Sequence, residues 1–159
     1  MGREHELISS LREHGLKISS AESLTGGMVA ATIVSVPGAS NAFMEGFVTY
    51  DIGAKQRTLG ISEDVLDKEG AVSPVTASLM AENAAKKANT DMAVATTGNA
   101  GPDSSEGKAV GLVYTAVYFN GKTDVFEHHF NGDRASIRKM TCDIVIEEAY
   151  NKLKKVFGA

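Results

Sequence analysis

The sequence is poor in cysteine, in long apolar runs and in excess positive charge, and each shortage excludes a class of protein. Cys142 is the single cysteine among 159 residues, so neither a disulfide framework nor a thiolate zinc site is expected. No window reaches the roughly 18 consecutive apolar residues of a membrane-spanning helix. The formal net charge of -4 argues against a general nucleic-acid-binding protein, which would carry a basic patch or stripe.

The remaining bulk properties are those of an ordinary globular domain. Apolar residues make up 43% of the chain and charged residues 23%. A chain of this length buries roughly two thirds of its unfolded surface, which predicts one domain over residues 1–159. The N-terminal residues predict an amphipathic helix and lack the apolar stretch of a signal peptide, so a cytoplasmic location is expected.

Helical and strand patterns alternate along most of the chain. Strands are predicted over residues 16–20, 43–50 and 92–96, with helical patterns between them. A hairpin over 110–119 and 123–130 follows, because an Asn-Gly pair stands between two β-rich runs. This succession predicts an α/β sandwich with a mixed sheet.

Helix starts are marked by short polar side chains. Asp51, Ser62 and Asp133 are predicted N-caps, because each precedes a helical pattern and offers a side-chain oxygen to the first turn. Ser73 is a fourth, strengthened by proline at the first helical position.

Four loops contain the polar residues of a candidate site: AESLTGG (21–27), VPGAS (36–40), TTGNAGPDSSEGK (96–108) and NGDRASIR (131–138). Three of them follow predicted strands, and ligands of open α/β sheets bind at the carboxyl ends of strands. We therefore expect these loops to meet at one sheet edge. The first loop either holds an anion at a helix N-terminus or presents Ser23 as a nucleophile.

Two of the other three loops offer groups that could bind an anionic ligand. Arg134 and Arg138 lie four residues apart behind the predicted cap, on one helix face, where they would bind a phosphate or carboxylate. A solvated basic patch is the alternative. The TTGNAGP turn offers backbone amides and hydroxyls, although Gly98 and Gly101 also suit a plain glycine-rich turn.

None of the four histidines lies in these loops, so a Ser-His-Asp triad is not expected, and no spacing indicates a metal site. Lysine is the remaining candidate base, and it needs a pKa lowered by burial or by neighbouring positive charge. Lys55 follows Tyr50 by about one helical turn, and Ser40 lies in the Pro-Gly turn before the same strand. These three residues predict a Ser-Lys arrangement with a tyrosine partner; a turn serine and a solvated lysine are the alternatives.

Taken together, the motifs are more specific than any one of them. The chain reads, in order, AES-x-TGG, VPGAS, GFVTY-x4-K-x3-LG, GAVS, TG-x-AGP, VG-x-VY and GDR-x3-R between residues 21 and 138. This order and spacing resembles the C-terminal domain of the CinA family, the competence/damage-inducible proteins. The resemblance covers nearly the whole chain.

The resemblance implies a fold and an activity. The implied fold is a three-layer α/β/α sandwich with a mixed, mostly parallel sheet, in the form of a stand-alone domain. The implied reaction is hydrolysis of the carboxamide of nicotinamide mononucleotide to nicotinic acid mononucleotide and ammonia, in pyridine nucleotide salvage and NAD metabolism. No cofactor or metal is implied, and self-association into a homo-oligomer is expected. A catalytically inactive nucleotide-binding paralogue and an amidohydrolase for another carboxamide are the alternative functions.

By the same resemblance, Ser40 is expected to be the nucleophile, Lys55 its base and Tyr50 a proton relay, with Ser23 as the alternative nucleophile. The positive charge of the nicotinamide ring would favour a nearby carboxylate, and Glu22 is one candidate. The other residues expected to bind substrate are Thr25, Gly26, Gly27, Thr97, Gly98, Ala100, Gly101, Arg134 and Arg138.

Two departures from the family pattern concern the pocket. The family motif often reads AESCTGG, and Leu24 stands here in place of its cysteine, which predicts a packing role at that position. The loop after AGP is usually glycine-rich, whereas this one reads DSSEGKA. It is shorter and more polar, and so predicts a different pocket shape or substrate preference.

Overall fold

The computed structural model describes residues 2–158, and its centre is one five-stranded sheet in the order β2-β1-β3-β4-β5. Strands β1, β2 and β3 are mutually parallel, whereas β4 pairs antiparallel with β3 and β5 antiparallel with β4. β5 therefore runs in the same direction as the first three strands. The predicted mixed sheet is confirmed, with the bounds β1 Ile18–Glu22, β2 Phe43–Val48, β3 Met92–Gly98, β4 Leu112–Phe119 and β5 Lys122–His129.

Helices cover both faces of the sheet. One face carries α1 (Glu4–Glu13), α2 (Met28–Val34) and α6 (Arg134–Phe157), whose apolar side chains form one core with the sheet. The other face carries α3 (Ile52–Leu59), α4 (Glu63–Glu69) and α5 (Pro74–Ala88), around a second core rich in alanine. Each layer buries its apolar face against the sheet, so the three-layer α/β/α sandwich is confirmed.

The local signals at helix starts and at the hairpin are also confirmed. Each predicted cap, Asp51, Ser62, Ser73 and Asp133, accepts a hydrogen bond from a backbone N–H two or three residues later. Both residues of the Asn120-Gly121 turn have positive φ, as a tight two-residue hairpin requires.

Strand boundaries differ from the prediction at the ends that matter for the site. The first strand covers 18–22 rather than 16–20, because the turn that closes α1 extends to Leu16, whose N–H donates to the Leu11 carbonyl. Glu22 is therefore a strand residue. Gly46 of β2 lies close to β1, since a Cβ there would lie 3.0 Å from Ser20 Oγ. The irregularity of the β1–β2 ladder lies beside it, at Met44, which the register skips.

The strand order defines where a ligand fits. From β1 the chain passes to β2 on one side and then crosses back to β3 on the other, so β1 lies at the point where the winding reverses. In such sheets the crevice at the carboxyl ends of the strands is the usual ligand site. The loops after β1, β2, β3 and β5 lie at this edge. No helix within residues 2–158 is long and apolar enough to span a membrane.

Candidate active site

A cavity of about 500 Å³ opens at this edge of the sheet. The turn after β1, the β2–α3 connection, the connector between α4 and α5, the loop after β3 and the start of α6 all contribute to it. The predicted convergence of the loops that follow strands is therefore confirmed. The lining residues are Ser23, Leu24, Tyr50, Lys55, Ala71, Val72, residues 97–106 and Arg134.

A buried lysine lies beside a serine in this cavity. Lys55 is 1% exposed, and its Nζ lies 3.0 Å from the Oγ of Ser23. The same amine donates to two backbone carbonyls at the end of β2, those of Thr49 at 2.6 Å and Tyr50 at 3.3 Å. All three contacts follow from the position of Lys55 in the first turn of α3, beside the end of β2 and the turn that follows the neighbouring strand β1.

These contacts orient the lysine for proton transfer. A carbonyl oxygen only accepts hydrogen bonds, so the amine must donate to Thr49 and Tyr50 in either protonation state. A neutral amine has two N–H groups and one lone pair. With both N–H groups used, its lone pair faces the hydroxyl of Ser23, the one partner able to donate. The geometry thus suits Lys55 as an acceptor of the Ser23 proton.

Burial makes the neutral form accessible. Removal from water lowers the pKa of Lys55 from 10.5 to about 8, while the nearby carboxylates of Asp51 and Glu106 act in the opposite direction. At this pKa, roughly a tenth of the lysine is neutral at pH 7 and half of it at pH 8. Of the two causes considered from the sequence, burial and neighbouring positive charge, burial is the dominant one.

Ser40 lies elsewhere, and the predicted Ser40–Lys55 pair is not formed. Ser40 is exposed in a 3-10 helix, Ala39–Asn41, that precedes the first residue of β2. Lys55 follows the last residue of the same strand. Six strand residues, or about 20 Å of extended chain, separate the two ends, so Ser40 lies at the opposite edge of the sheet.

The prediction that Glu22 faces the substrate is wrong. Glu22 is 1% exposed and does not line the cavity, because its carboxylate caps the start of α2. It accepts from the Thr25 hydroxyl at 2.6 Å and from the N–H groups of Gly27, Val29 and Ala30 at 3.2, 2.8 and 3.0 Å. This negative charge complements the positive end of the helix and fixes the turn that carries Ser23.

The remaining residues of that turn are structural too. Thr25 is fully buried between Glu22 and Thr96, and neither Gly26 nor Gly27 lines the cavity, so none of the three contacts it as predicted. The AESLTGG stretch therefore forms a rigid turn that presents Ser23 to the cavity. Leu24 packs with Ala100, Val113 and Ile137, which supports the predicted packing role.

The two arginines of α6 have separate roles. Arg134 lines the cavity, donating to the Gly101 carbonyl at 2.7 Å and to the Tyr50 hydroxyl at 3.1 Å. Arg138 does not line it, because it donates to the carbonyls of Leu24 at 2.8 Å and Thr25 at 3.1 Å. Arg138 thus holds the serine turn in place, which corrects its predicted role as a ligand-binding residue.

Tyr50 lies at the mouth of the cavity with 60% of its surface exposed. Its carbonyl contacts Lys55, whereas its hydroxyl accepts from Arg134. The structure therefore does not place the hydroxyl between Ser23 and Lys55 as a relay. It places that hydroxyl next to the arginine expected to meet an anion.

The loop after β3 supplies most of the cavity wall. Thr97, Gly98, Ala100 and Gly101 line it, as the sequence predicts. Sequence reasoning missed several other lining residues: Leu24, Ala71, Val72, Asn99 and residues 102–106. The motifs could have indicated these residues, because GAVS and TG-x-AGP contain four of the missed lining residues. The DSSEGKA segment after AGP contains most of the others.

The histidines whose contacts the structure describes lie away from this cavity. Its lining, within residues 2–158, includes no histidine. His128 instead contacts the Thr115 hydroxyl at 2.9 Å and the Glu148 carboxylate at 3.2 Å. Across the same described residues, no three histidine, cysteine, aspartate or glutamate side chains are grouped as metal ligands.

Comparison with known families agrees with the motifs and the geometry. The CinA C-terminal domain matches residues 2–153. The chain belongs to this family. A CinA-like protein of Kosmotoga olearia is 48% identical over 136 residues, which cover 85% of this chain and 33% of that protein. The chain spans 33 to 37% of the length of the first curated relatives that it matches.

Solved structures of the family superpose on nearly the whole chain. The competence/damage inducible protein CihA from Agrobacterium tumefaciens is 38% identical, with a TM-score of 0.88, and the match covers 95% of this chain and 97% of that one. A competence or damage-inducible protein from Enterobacter asburiae is 29% identical, with a TM-score of 0.92 over 94% of this chain and 95% of that one. The family thus accounts for the fold observed here.

Proposed function

We propose that this chain is an amidohydrolase that converts nicotinamide mononucleotide to nicotinic acid mononucleotide and ammonia, with Ser23 as nucleophile and Lys55 as its base. The observation that carries the proposal is the 3.0 Å contact between Lys55 Nζ and Ser23 Oγ at the cavity. A lysine with a pKa lowered to about 8 suits acid–base chemistry near neutral pH.

The reaction needs only these two side chains and water to balance. Ser23 Oγ attacks the carboxamide carbon while its proton passes to Lys55 Nζ. The tetrahedral intermediate collapses, and the same proton leaves with the amide nitrogen as ammonia. Water then attacks the acyl ester and gives one proton to Lys55, which returns it to Ser23 as nicotinic acid mononucleotide departs.

Arg134 is the residue that we expect to bind the phosphate of the substrate. Arg134 is the first residue of α6, directly after the Asp133 cap, and it lines the cavity. The start of a 24-residue helix adds a positive potential to the guanidinium charge. The Tyr50 hydroxyl, 3.1 Å from this arginine, holds it in position.

The decisive experiment measures ammonia release from nicotinamide mononucleotide by the wild type and by Ser23→Ala, Lys55→Met and Ser40→Ala. We expect Ser40→Ala to match the wild type, because its side chain is at the far edge of the sheet. Ser23→Ala and Lys55→Met should each reduce kcat by about 10³-fold or more, since a nucleophile and its base act as one unit.

Each alternative has its own outcome. A wild type that binds the nucleotide without releasing ammonia would identify a nucleotide-binding module instead of an amidase. Loss of activity in Ser40→Ala with activity retained in Ser23→Ala would return the nucleophile to the VPGAS turn. Faster release from another carboxamide than from the mononucleotide would keep the chemistry and change the substrate.

A further inference from the structure

The loop at residues 102–108 and the connector at residues 70–73 together form one wall of the cavity, and a single carboxylate joins them. Glu106 accepts from the N–H of Ala71 at 2.8 Å and from the N–H of Val72 at 3.0 Å. Ala71, Val72 and Glu106 all line the cavity. This loop is the departure from the family pattern after AGP, and none of residues 102–108 was given a role from the sequence.

We propose that Glu106 is a positioning residue of the active site, which fastens loop 102–108 to connector 70–73 and adds a negative charge to the wall of the cavity that Lys55 also lines. This inference rests on the proposed amidase function for its kinetic part. Its structural part, the fastening of the loop, is independent of that function.

The backbone at Glu106 has a strained conformation that its contacts must stabilise. Its φ is +56°, in the left-handed region, and the following Gly107 has φ +69°. Ser105 and Lys108 form a β-bridge around this pair, so the two residues are the tip of a tight turn. A residue other than glycine keeps this backbone conformation only when its surroundings offset the strain. Here the two charge-assisted hydrogen bonds between Glu106 and the connector offset it.

The connector is shaped to receive the carboxylate. Gly70 has φ +85°, and a Cβ there would lie 2.8 Å from Glu106 Oε1, so only glycine allows this approach. Lys108 donates to the Val72 carbonyl and pairs with Glu106 Oε1 at 3.4 Å. On the other side, the Thr97 hydroxyl donates to the Ala71 carbonyl at 2.6 Å. The connector is therefore held from the loop and from β3 at once.

The charged groups around Lys55 determine how Glu106 affects the pKa of this lysine. Asp51 at the start of α3 and Glu106 in the loop both favour the ammonium form and so raise the pKa of Lys55 against the effect of burial. Arg134 of α6 lines the same cavity with the opposite charge. Removing the Glu106 charge should lower the pKa of Lys55, which moves the acid limb of the pH–rate profile to lower pH.

The test compares Glu106→Gln with Glu69→Gln as matched control. Glu69 lies at the end of α4, next to the connector, and does not line the cavity. The control therefore removes the same charge and leaves in place the latch, by which we mean the two hydrogen bonds from the N–H groups of Ala71 and Val72 to Glu106. Glutamine at 106 can accept from only one of the two N–H groups. We expect roughly a tenfold lower kcat/KM for ammonia release and an acid limb at lower pH, with neither change in the control.

Hydrogen exchange of the Ala71 and Val72 amides gives a second readout that needs no activity. We expect both amides to exchange faster in Glu106→Gln than in the wild type and in Glu69→Gln. Equal behaviour of the two variants in exchange and in pH profile would overturn the inference. So would faster exchange with an unshifted acid limb, because Glu106 would then be structural alone. If the wild type releases no ammonia, the proposed function fails, and exchange alone decides whether the latch exists.

Discussion

Replacing Lys55 with methionine should change how the stability of the fold depends on pH. Methionine keeps an unbranched apolar chain of similar length but has no titrating group. Lys55 is 1% exposed, so its charge is held away from water in the folded protein and hydrated in the unfolded one. The wild type therefore carries a pH-dependent penalty that the variant lacks.

The size of this penalty follows from the difference between folded and unfolded pKa values. Burial lowers the pKa of Lys55 from 10.5 to about 8. At about 1.4 kcal/mol for each pH unit, this difference corresponds to about 3 kcal/mol. Below pH 8 both states bind the proton and the whole penalty is present. Between pH 8 and 10.5 the unfolded chain binds more protons than the folded one, so the stability of the wild type rises with pH.

Urea unfolding of both proteins at pH 7 and at pH 10 measures the effect. Between these values the free energy of unfolding of the wild type should rise by about 2 to 3 kcal/mol more than that of Lys55→Met. Every other titrating group is common to both proteins, so the comparison isolates Lys55. The loss of donors to the Thr49 and Tyr50 carbonyls also cancels, because it is the same at both pH values.

Parallel changes in the two proteins would refute the reasoning. That result would mean that Lys55 has an ordinary pKa in the folded protein and is a charged, solvated lysine, the alternative left open by the sequence. The base of the proposed mechanism would then be missing at neutral pH. The activity of the wild type should follow the same titration, with kcat/KM rising as pH increases through about 8.

Two further predictions concern residues on either side of the Ser23–Lys55 pair. Arg134→Met should raise KM for nicotinamide mononucleotide about 10- to 100-fold and leave KM for the unphosphorylated riboside nearly unchanged; an equal rise for both substrates would contradict the phosphate role. Glu22→Gln should lower the free energy of unfolding by about 2 to 4 kcal/mol in urea titration, because the amide NH₂ cannot accept from the start of α2. An unchanged midpoint would show that the cap contributes nothing.

The fold was predictable because its signals are local. The Asn120-Gly121 turn, the caps at Asp51 and Asp133 and the Ser73-Pro74 start each depend on a few neighbouring residues, and all are present in the structure. Strand ends were less predictable, because they depend on pairing. The first strand continues to Glu22 because its partners on both sides extend that far.

The predicted Ser40–Lys55 pair is not formed because nearness in sequence is not nearness in space. Ser40 and Lys55 flank the same strand, so the strand itself holds them apart. Ser23 is farther from Lys55 along the chain, yet it follows β1, whose end lies beside the end of β2. The rule that parallel strands bring their carboxyl ends together would have favoured Ser23 over Ser40.

Two charged residues that contact the AESLTGG turn were misassigned for a different reason. The sequence shows that Glu22 and Arg138 are charged but not where their charges point. Glu22 faces the backbone amides of α2, and Arg138 faces the carbonyls of the turn. A charged side chain that satisfies backbone groups has the same sequence pattern as one that binds a ligand, so three-dimensional contacts are needed to tell them apart.

The pairing of β1 on both sides explains why the serine can be placed so closely against the lysine. The N–H of Ser23 donates to the Thr96 carbonyl at 3.0 Å, and the N–H of Thr49 donates to the Glu22 carbonyl at 2.9 Å. These two bonds continue the ladders of β3 and β2 past the last residue of β1. Thr49 then uses its own carbonyl to orient Lys55 at 2.6 Å. Ser23 and Lys55 are thus positioned by main-chain pairing, and a slip of one residue between β1 and β2 would turn Ser23 away from Lys55.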